Sequence, residues 1–249
     1  MESLFPCVSL IFGMIAFLTV FTFFHAAGHP RGFAIIAGIW ILVQSAVSST
    51  GFYTDTGPVV PRMLFMVVPP VVLIAWLFLA RPGKVLLDQM DMHLLTVIHV
   101  VRAPFEVILY WLYISKVVPQ EMTFGGGNPD ILSGLTAPAI YYWGLLKGKV
   151  RWQLLVLWNL VSLGLLLNVI LRSILSAPLF FQTIGFEQPN VAVLHFPFVF
   201  WPGAVAPIIV CSHLIVIRNL VKAHWYELKS EPAVWRVFQQ FVVKLIHQP

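Results

Sequence analysis

The chain has 249 residues, of which 59% are hydrophobic and only 10% are charged, and its formal net charge is +5. A soluble domain carries about 25% charged residues, so this composition excludes a soluble globular protein and indicates an integral membrane protein. The chain has no recognisable nucleic-acid-binding module, and we expect the lipid bilayer rather than nucleic acid as its partner. Its two cysteines, Cys7 and Cys211, define neither a disulfide framework nor a thiolate metal motif.

Seven apolar segments are predicted to be transmembrane helices, and none shows the alternation of a barrel strand. They cover residues 7–25, 33–50, 63–80, 94–116, 131–146, 152–175 and 191–217. The chain start has no basic n-region and no small-x-small cleavage site follows, so we expect a retained first span rather than a signal peptide. The predicted fold class is therefore all-α, a polytopic integral membrane helical bundle in residues 1–222 with a cytoplasmic tail in 223–249.

The distribution of Lys and Arg predicts how the bundle is oriented. Eleven of the 15 lie in one set of alternate connections and the tail, whereas Arg62 and Lys116 lie on the other side. The positive-inside rule then places the N-terminus outside and the C-terminus in the cytoplasm, in a plasma (inner) membrane. An alternative stays open for 131–146, which is short and contains Pro138. As a re-entrant hairpin it leaves six spans and a count of 10 to 3.

Prolines and glycines predict where the helices are interrupted. Pro69-Pro70 in the third span predicts a bend or break. Residues 81–91 are expected to form a short turn, and 124–130 a flexible outer loop. The prolines of the last span leave three carbonyl oxygens without a helical donor, those of Val193, Phe198 and Gly203. From Pro232 the tail is expected to form an amphipathic helix on the inner leaflet.

The fourth span carries polar side chains three or four residues apart. At about 100° per residue they fall on one helix face. They are Thr96, His99, Arg102, Glu106, Tyr110 and Tyr113. Such a stripe is expected to face the interior of the bundle, and Arg102 and Glu106 are expected to pair with each other. The pair either fixes helix packing or lines a cavity in which Arg102 attracts an anion and Glu106 or His99 carries a proton.

A ligand site is predicted between the fourth, sixth and seventh spans. The sixth and seventh spans add further polar groups to the stripe. The predicted ligand-binding residues are His99, Arg102, Glu106, Tyr110, Tyr113, Asn168, Arg172 and His195. The leading prediction is a small permease or sensor for a small anionic or zwitterionic ligand, with Arg102 as the anchor and no cofactor required.

Several histidines are expected towards the cytoplasmic side, and imidazole is a ligand for Zn and Fe. They are His25, His29, His93, His99 and His213. The alternative function is therefore a membrane-embedded metal- or haem-dependent enzyme, although only one His-x-x-x-His pair occurs. Histidines at the membrane interface without a metal, and a structural or assembly subunit of a membrane complex, are the other interpretations.

Overall fold

A computed structural model describes residues 4–57 and 60–225 of the chain. These residues are helical and contain no strands, which confirms the predicted class. The helices are α1 (Leu4–Ala26), α2 (Arg31–Ser49), α3 (Leu64–Leu79), α4 (Arg81–Gln89), α5 (Met92–Ile114), α6 (Ile131–Leu146), α7 (Trp152–Leu175) and α8 (Trp201–Ala223). The predicted tail helix after Pro232 lies outside the described residues.

Five of these helices are long and apolar enough to cross a membrane: α1, α2, α5, α7 and α8. The bent pair of α3 and α4 makes a sixth if it is counted as one span, and α6 is apolar but shorter. The apolar helices agree with an integral membrane protein. The α5 helix contains a 3₁₀ turn, Ile98–Val101, between two α-helical stretches.

The sharp bend of the third span lies after α3 and not at Pro69-Pro70, which the helix contains without a break. The chain turns by 88° between α3 and α4, at Ala80, whose backbone is extended with ψ 143°. A Cβ at Gly83 would lie 2.4 Å from the carbonyl oxygen of Leu77, so only glycine permits this close approach. The predicted short turn is instead a helix, α4.

The last predicted span starts too early. Residues 191–200 form turns with a cis peptide bond between Phe196 and Pro197, and the helix begins only at Trp201. Pro202 therefore occupies the first turn of α8, where the missing N–H has no helical partner to lose. The prediction failed because hydrophobicity alone does not distinguish a buried apolar turn from a helix.

The three carbonyl groups predicted to lack a helical donor have different surroundings. Val193 and Phe198 precede α8, and the Phe198 oxygen has a donor in the N–H of Trp201 at 2.9 Å. Gly203 lies within the first turn of α8, and its oxygen accepts a hydrogen bond from Trp40 Nε1 at 2.7 Å. Because Pro207 has no N–H to donate to this oxygen, the bond from Trp40 supplies a donor and joins α2 to α8.

One end of the bundle, which we call the basic end, contains α4, the end of α1 and the end of α8. The Asp91 N–H donates to the carbonyl oxygen of Ala26 at 2.9 Å, which joins the start of α5 to α1. Arg218 and Lys222 of α8 form ion pairs with Asp88 of α4. The start of α7 also lies here, stacked against the end of α8.

The opposite end, the loop end, consists of residues 115–130 and 176–200. Gln188 Nε2 donates to the carbonyl oxygens of Tyr113 and Val118 at 2.8 and 2.6 Å, which ties the two segments together.

Residues 115–130 pack into the bundle, although a flexible outer loop is predicted for their second half. They form two 3₁₀ turns, Gln120–Met122 and Phe124–Gly126. Asn128 and Asp130, which follow these turns, have no solvent exposure. Polar groups of the bundle bind them, and this is why the segment is buried.

The α6 helix starts halfway along the bundle and runs towards the basic end. Gly134 lies against Ala103 in the middle of α5, where a Cβ on Gly134 would be 2.3 Å from the Ala103 nitrogen. Near the other end, the Tyr141 ring lies 6.0 Å from the ring of His93 at the start of α5. Residues 115–130 and α6 together therefore connect the loop end with the basic end.

Candidate functional site

Polar side chains are buried where α5, α7 and α8 pass the start of α6. Arg102 of α5 lies at their centre and has no solvent exposure. Its guanidinium donates two hydrogen bonds to the Asp130 carboxylate, from Nε at 2.9 Å and from Nη2, and one to the carbonyl oxygen of Ser162 at 2.9 Å. Its Nη1 lies 3.1 Å from His213 Nε2. Residues 115–130, α7 and α8 thus meet at one cation of α5.

The predicted pair of Arg102 with Glu106 does not form. Among the described residues, Arg102 forms its ion pair with Asp130. A planar guanidinium favours two parallel hydrogen bonds to one carboxylate, and Asp130 approaches from a separate segment in the position that allows both. Glu106 is one turn away on the same helix and binds Asn128 instead.

Glu106 is linked to this ion pair through Asn128. The Asn128 amide donates to Glu106 Oε1 at 2.8 Å and to the carbonyl oxygen of Met122 at 2.9 Å, and its Oδ1 accepts from the Asp130 N–H at 3.2 Å. Glu106 Oε2 is buried without a hydrogen-bond partner in the described part of the chain. One carboxyl oxygen is therefore available to a proton or to a bound molecule.

The hydrogen bonds of His213 assign its tautomer. Nδ1 lies 2.9 Å from Asn159 Oδ1, an acceptor, so Nδ1 carries the proton. Nε2 is then the acceptor for the N–H of Arg102. The Asn159 amide donates to the carbonyl oxygen of Leu155 at 2.8 Å, which holds its Oδ1 towards the ring. This places a neutral imidazole beside the guanidinium.

His99 lies flat against His213 but has no hydrogen bond of its own. The two rings are 3.8 Å apart with an interplanar angle of 13°, and Trp158 packs edge-on against His99. Neither ring nitrogen of His99, nor the hydroxyl of Ser133 on α6, has a partner within the described residues. Each buried polar group without a hydrogen-bond partner destabilises the folded state by about 1–3 kcal/mol. These atoms therefore favour a bound molecule that supplies hydrogen-bond partners.

We call this group the charged cluster and define it by its polar side chains and one backbone carbonyl. Its members are His99, Arg102, Glu106, Asn128, Asp130, Ser133, Asn159, Ser162 and His213. The cluster contains one balanced ion pair, and the cation has further hydrogen bonds that compensate for its removal from water. The atoms of the cluster that can still form hydrogen bonds belong to Glu106, His99 and Ser133.

Two of the predicted ligand residues have a different task at the loop end. Arg172 Nη1 donates to the carbonyl oxygens of Glu121 and Gly126 at 3.1 and 3.2 Å, and its Nε donates to Asn168 Oδ1 at 3.1 Å. Arg172 thus fastens the 3₁₀ turns of residues 115–130 to α7. Its guanidinium is directed to backbone oxygens, and it is not part of the charged cluster.

The last three predicted ligand residues also lie outside the cluster. Tyr110 is 39% exposed and its ring stacks against Phe124, and Tyr113 is half-buried. His195 is exposed, and its Nδ1 lies 2.9 Å from the carbonyl oxygen of Val191. The polar stripe of α5 therefore faces inwards as far as Glu106 and turns towards the surface at Tyr110.

The five histidines predicted to bind metal occupy three separate places. His25 and His29 contact each other at the basic end, Nδ1 to Nε2 at 2.6 Å, and His93 is exposed. His99 and His213 are stacked in parallel, so their lone pairs do not converge on one ion, and no porphyrin fits between them. Within the described residues, no group of three or more His, Cys, Asp or Glu is arranged to hold a metal. These residues do not fit the predicted metal or haem centre.

The sequence prediction missed Asp130 and Asn128. Both follow a run of three glycines and resemble an exposed connection. A signal was nevertheless present, because a buried Arg102 needs a counter-charge and Asp130 directly precedes an apolar helix. Comparison of the chain with models of known protein families, with curated proteins and with solved structures found no match. The function must therefore be inferred from the charged cluster itself.

Proposed function

We propose that the protein is a small permease or sensor that binds a small anionic or zwitterionic ligand at the charged cluster. The observation that carries this proposal is the way Asp130 binds Arg102, with two oxygens facing Nε and Nη2. A ligand carboxylate would bind a guanidinium in the same two-point geometry. We infer that Asp130 acts as an internal substitute for the anionic group of the ligand.

Exchange of one carboxylate for another avoids the most costly intermediate, a bare cation in the bundle interior. Asp130 lies at the junction of residues 115–130 and the short helix α6, not within a long span. It can therefore leave Arg102 without unfolding α5, α7 or α8. An incoming carboxylate keeps the guanidinium neutralised throughout, and Arg102 retains the anchoring role predicted for it.

The unpaired atoms of the cluster suit the rest of such a ligand. Glu106 Oε2 would accept a hydrogen bond from the ammonium group of a zwitterion, and His99 and Ser133 offer further donors and acceptors. Glu106 or His99 would also be the group that carries a proton if binding is proton-linked.

The experiment is a thermal-shift titration of the purified protein with acetate, succinate, inorganic phosphate and glycine. A ligand that binds only the folded state stabilises by about 2.7 kcal/mol at a hundredfold excess over Kd. We expect at least one probe to raise Tm, and glycine to lose its effect in Glu106→Gln, which keeps the shape but cannot pair with an ammonium. Glu187→Gln is the matched control, because Glu187 is exposed at the loop end. Uptake of a stabilising probe into proteoliposomes then separates a permease from a sensor. If none of the probes changes Tm, a structural subunit is the better interpretation.

We also propose seven crossings of a plasma (inner) membrane, with the N-terminus outside and the C-terminus in the cytoplasm. The direction of α6 supports this, since residues 116–146 lead from the loop end to the basic end and would make one crossing, of which Ile131–Ala139 is α-helical and Ile140–Leu146 is π-helical. Reporter fusions before Cys7 and after Pro249 are expected to report opposite sides. Two termini on the same side would mean that 116–146 is re-entrant.

A further inference from the structure

A cavity of about 600 Å³ lies between α2 and the other helices, well apart from the charged cluster. Its volume is typical of sites for small molecules. Side chains from α1, α2, α3, α4 and α8 line it almost wholly with carbon, among them Phe33, Ala37, Pro70, Leu77, Met90 and Ile208. Along α2 the lining extends from Pro30 to Val43, about 20 Å at 1.5 Å per residue.

The cavity exists because α2 is attached to the bundle at few places. Gln44 and Ser48 are its only residues classed as buried, and both lie towards its loop end. There the Tyr53 hydroxyl donates to Gln44 Oε1 at 2.6 Å. Halfway along, Trp40 Nε1 donates to the Gly203 carbonyl oxygen at 2.7 Å. Between this bond and the basic end, α2 stands away from α3 and α8.

A hydrocarbon chain is the occupant that this cavity favours. Water would find almost no hydrogen-bond partners there, and an empty cavity would lose the dispersion contacts of its lining. Exposed apolar side chains that line it, such as Ile36, Leu73 and Trp76, belong to helices of the membrane-spanning bundle. The cavity is thus accessible from the hydrocarbon region of the bilayer.

Basic side chains lie near the starts of α2 and α4, two of the helices that line the cavity at the basic end. Pro30 and Met90 belong to the lining there, and Arg31 of α2 and Arg81 and Lys84 of α4 are exposed. None of these three side chains forms an ion pair within the described part of the chain. Both α2 and α4 begin without a side-chain cap, so their first N–H groups also favour an anion.

We propose that the cavity binds one acyl chain of an anionic glycerophospholipid, whose phosphate lies between Arg31, Arg81 and Lys84. The acyl chain fills the apolar space along α2, and the basic side chains, which have no ion-pair partner in the described residues, neutralise the phosphate. The lipid thereby joins α2 to α3 and α8 where the protein makes no such contacts itself. This site uses no residue of the charged cluster.

The test is native mass spectrometry of the full chain, purified in detergent and incubated with phosphatidylglycerol or phosphatidylcholine. We expect one retained phosphatidylglycerol per protein. Ala37→Phe fills the cavity and should abolish retention. Ala34→Phe, on the same helix but exposed and outside the lining, should retain the lipid. Ala204→Leu fills the same space from α8 and replaces Ala37→Phe if that variant does not fold, as judged by gel filtration.

The headgroup part is tested by removing the charges. Each of Arg31→Gln and Arg81→Gln should weaken retention of phosphatidylglycerol about fivefold, the effect of one basic residue near anionic lipid. Lys149→Gln removes a charge from the connection between α6 and α7, away from the cavity, and should have no such effect. Equal retention in Ala37→Phe and Ala34→Phe would overturn the acyl-chain site, and equal retention of the two lipids would overturn the phosphate site.

Discussion

Replacement of Asp130 by Asn is expected to destabilise the protein by about 3–5 kcal/mol, because it leaves Arg102 as a buried cation without a counter-charge. The side chain keeps its size, so the effect reports charge rather than packing. Reversible denaturant titration in detergent micelles measures it. Asp55→Asn is the matched control, since its ion pair with Arg62 is on the surface, with 47% of the Asp55 side chain exposed. That change is expected to cost at most about 1 kcal/mol.

Double variants test which carboxylate forms the ion pair with Arg102. Arg102→Leu with Asp130→Leu removes both charges and should restore most of the stability. Arg102→Leu with Glu106→Leu should not, because Asp130 then remains as an isolated buried anion. Equal stability of the two double variants would contradict the observed pairing. If the Arg102→Leu, Asp130→Leu protein is stable and still binds or transports the probe, the cluster is structural and the proposed function is wrong.

The second large effect is expected from Gly134→Ala, a single added methyl group. Its Cβ would lie 2.3 Å from the nitrogen and 2.9 Å from the Cβ of Ala103, so α6 must move away from α5. We expect a loss of about 1–3 kcal/mol from overpacking, and Asp130, four residues earlier, should shift relative to Arg102. Thermal unfolding measures the loss, and probe binding measures the shift.

The control for this variant is Gly164→Ala in α7, also a helical glycine. Nothing lies within 4 Å of a Cβ at Gly164, so alanine there should stabilise the helix by about 0.5–1 kcal/mol. The two substitutions are therefore expected to change the stability of the protein in opposite directions. Ala103→Gly is not expected to rescue Gly134→Ala, because the closest atom to the new methyl group is a backbone nitrogen. A rescued double variant would mean that the helices are not in backbone contact.

The membrane class, most helix positions and the inward-facing part of the polar stripe were determined by the sequence itself. They depend on hydrophobicity and on a period of about 3.6 residues, which act within one helix. For this reason α7 coincides with the predicted span 152–175, and His99, Arg102 and Glu106 are buried together. The surface position of Tyr110 was missed, because the sequence does not show at which residue α5 ceases to be covered by neighbouring helices.

Only the tertiary structure decided which carboxylate neutralises Arg102. Asp130 is 28 residues away along the chain. It reaches Arg102 because Arg172 binds the turns before it and Gly134 lets α6 touch α5. The bend at Ala80 is decided in a similar way, by the contact between Gly83 and Leu77 rather than by the prolines of α3. These features arise from contacts between separate segments, and such contacts leave no periodic pattern in the sequence.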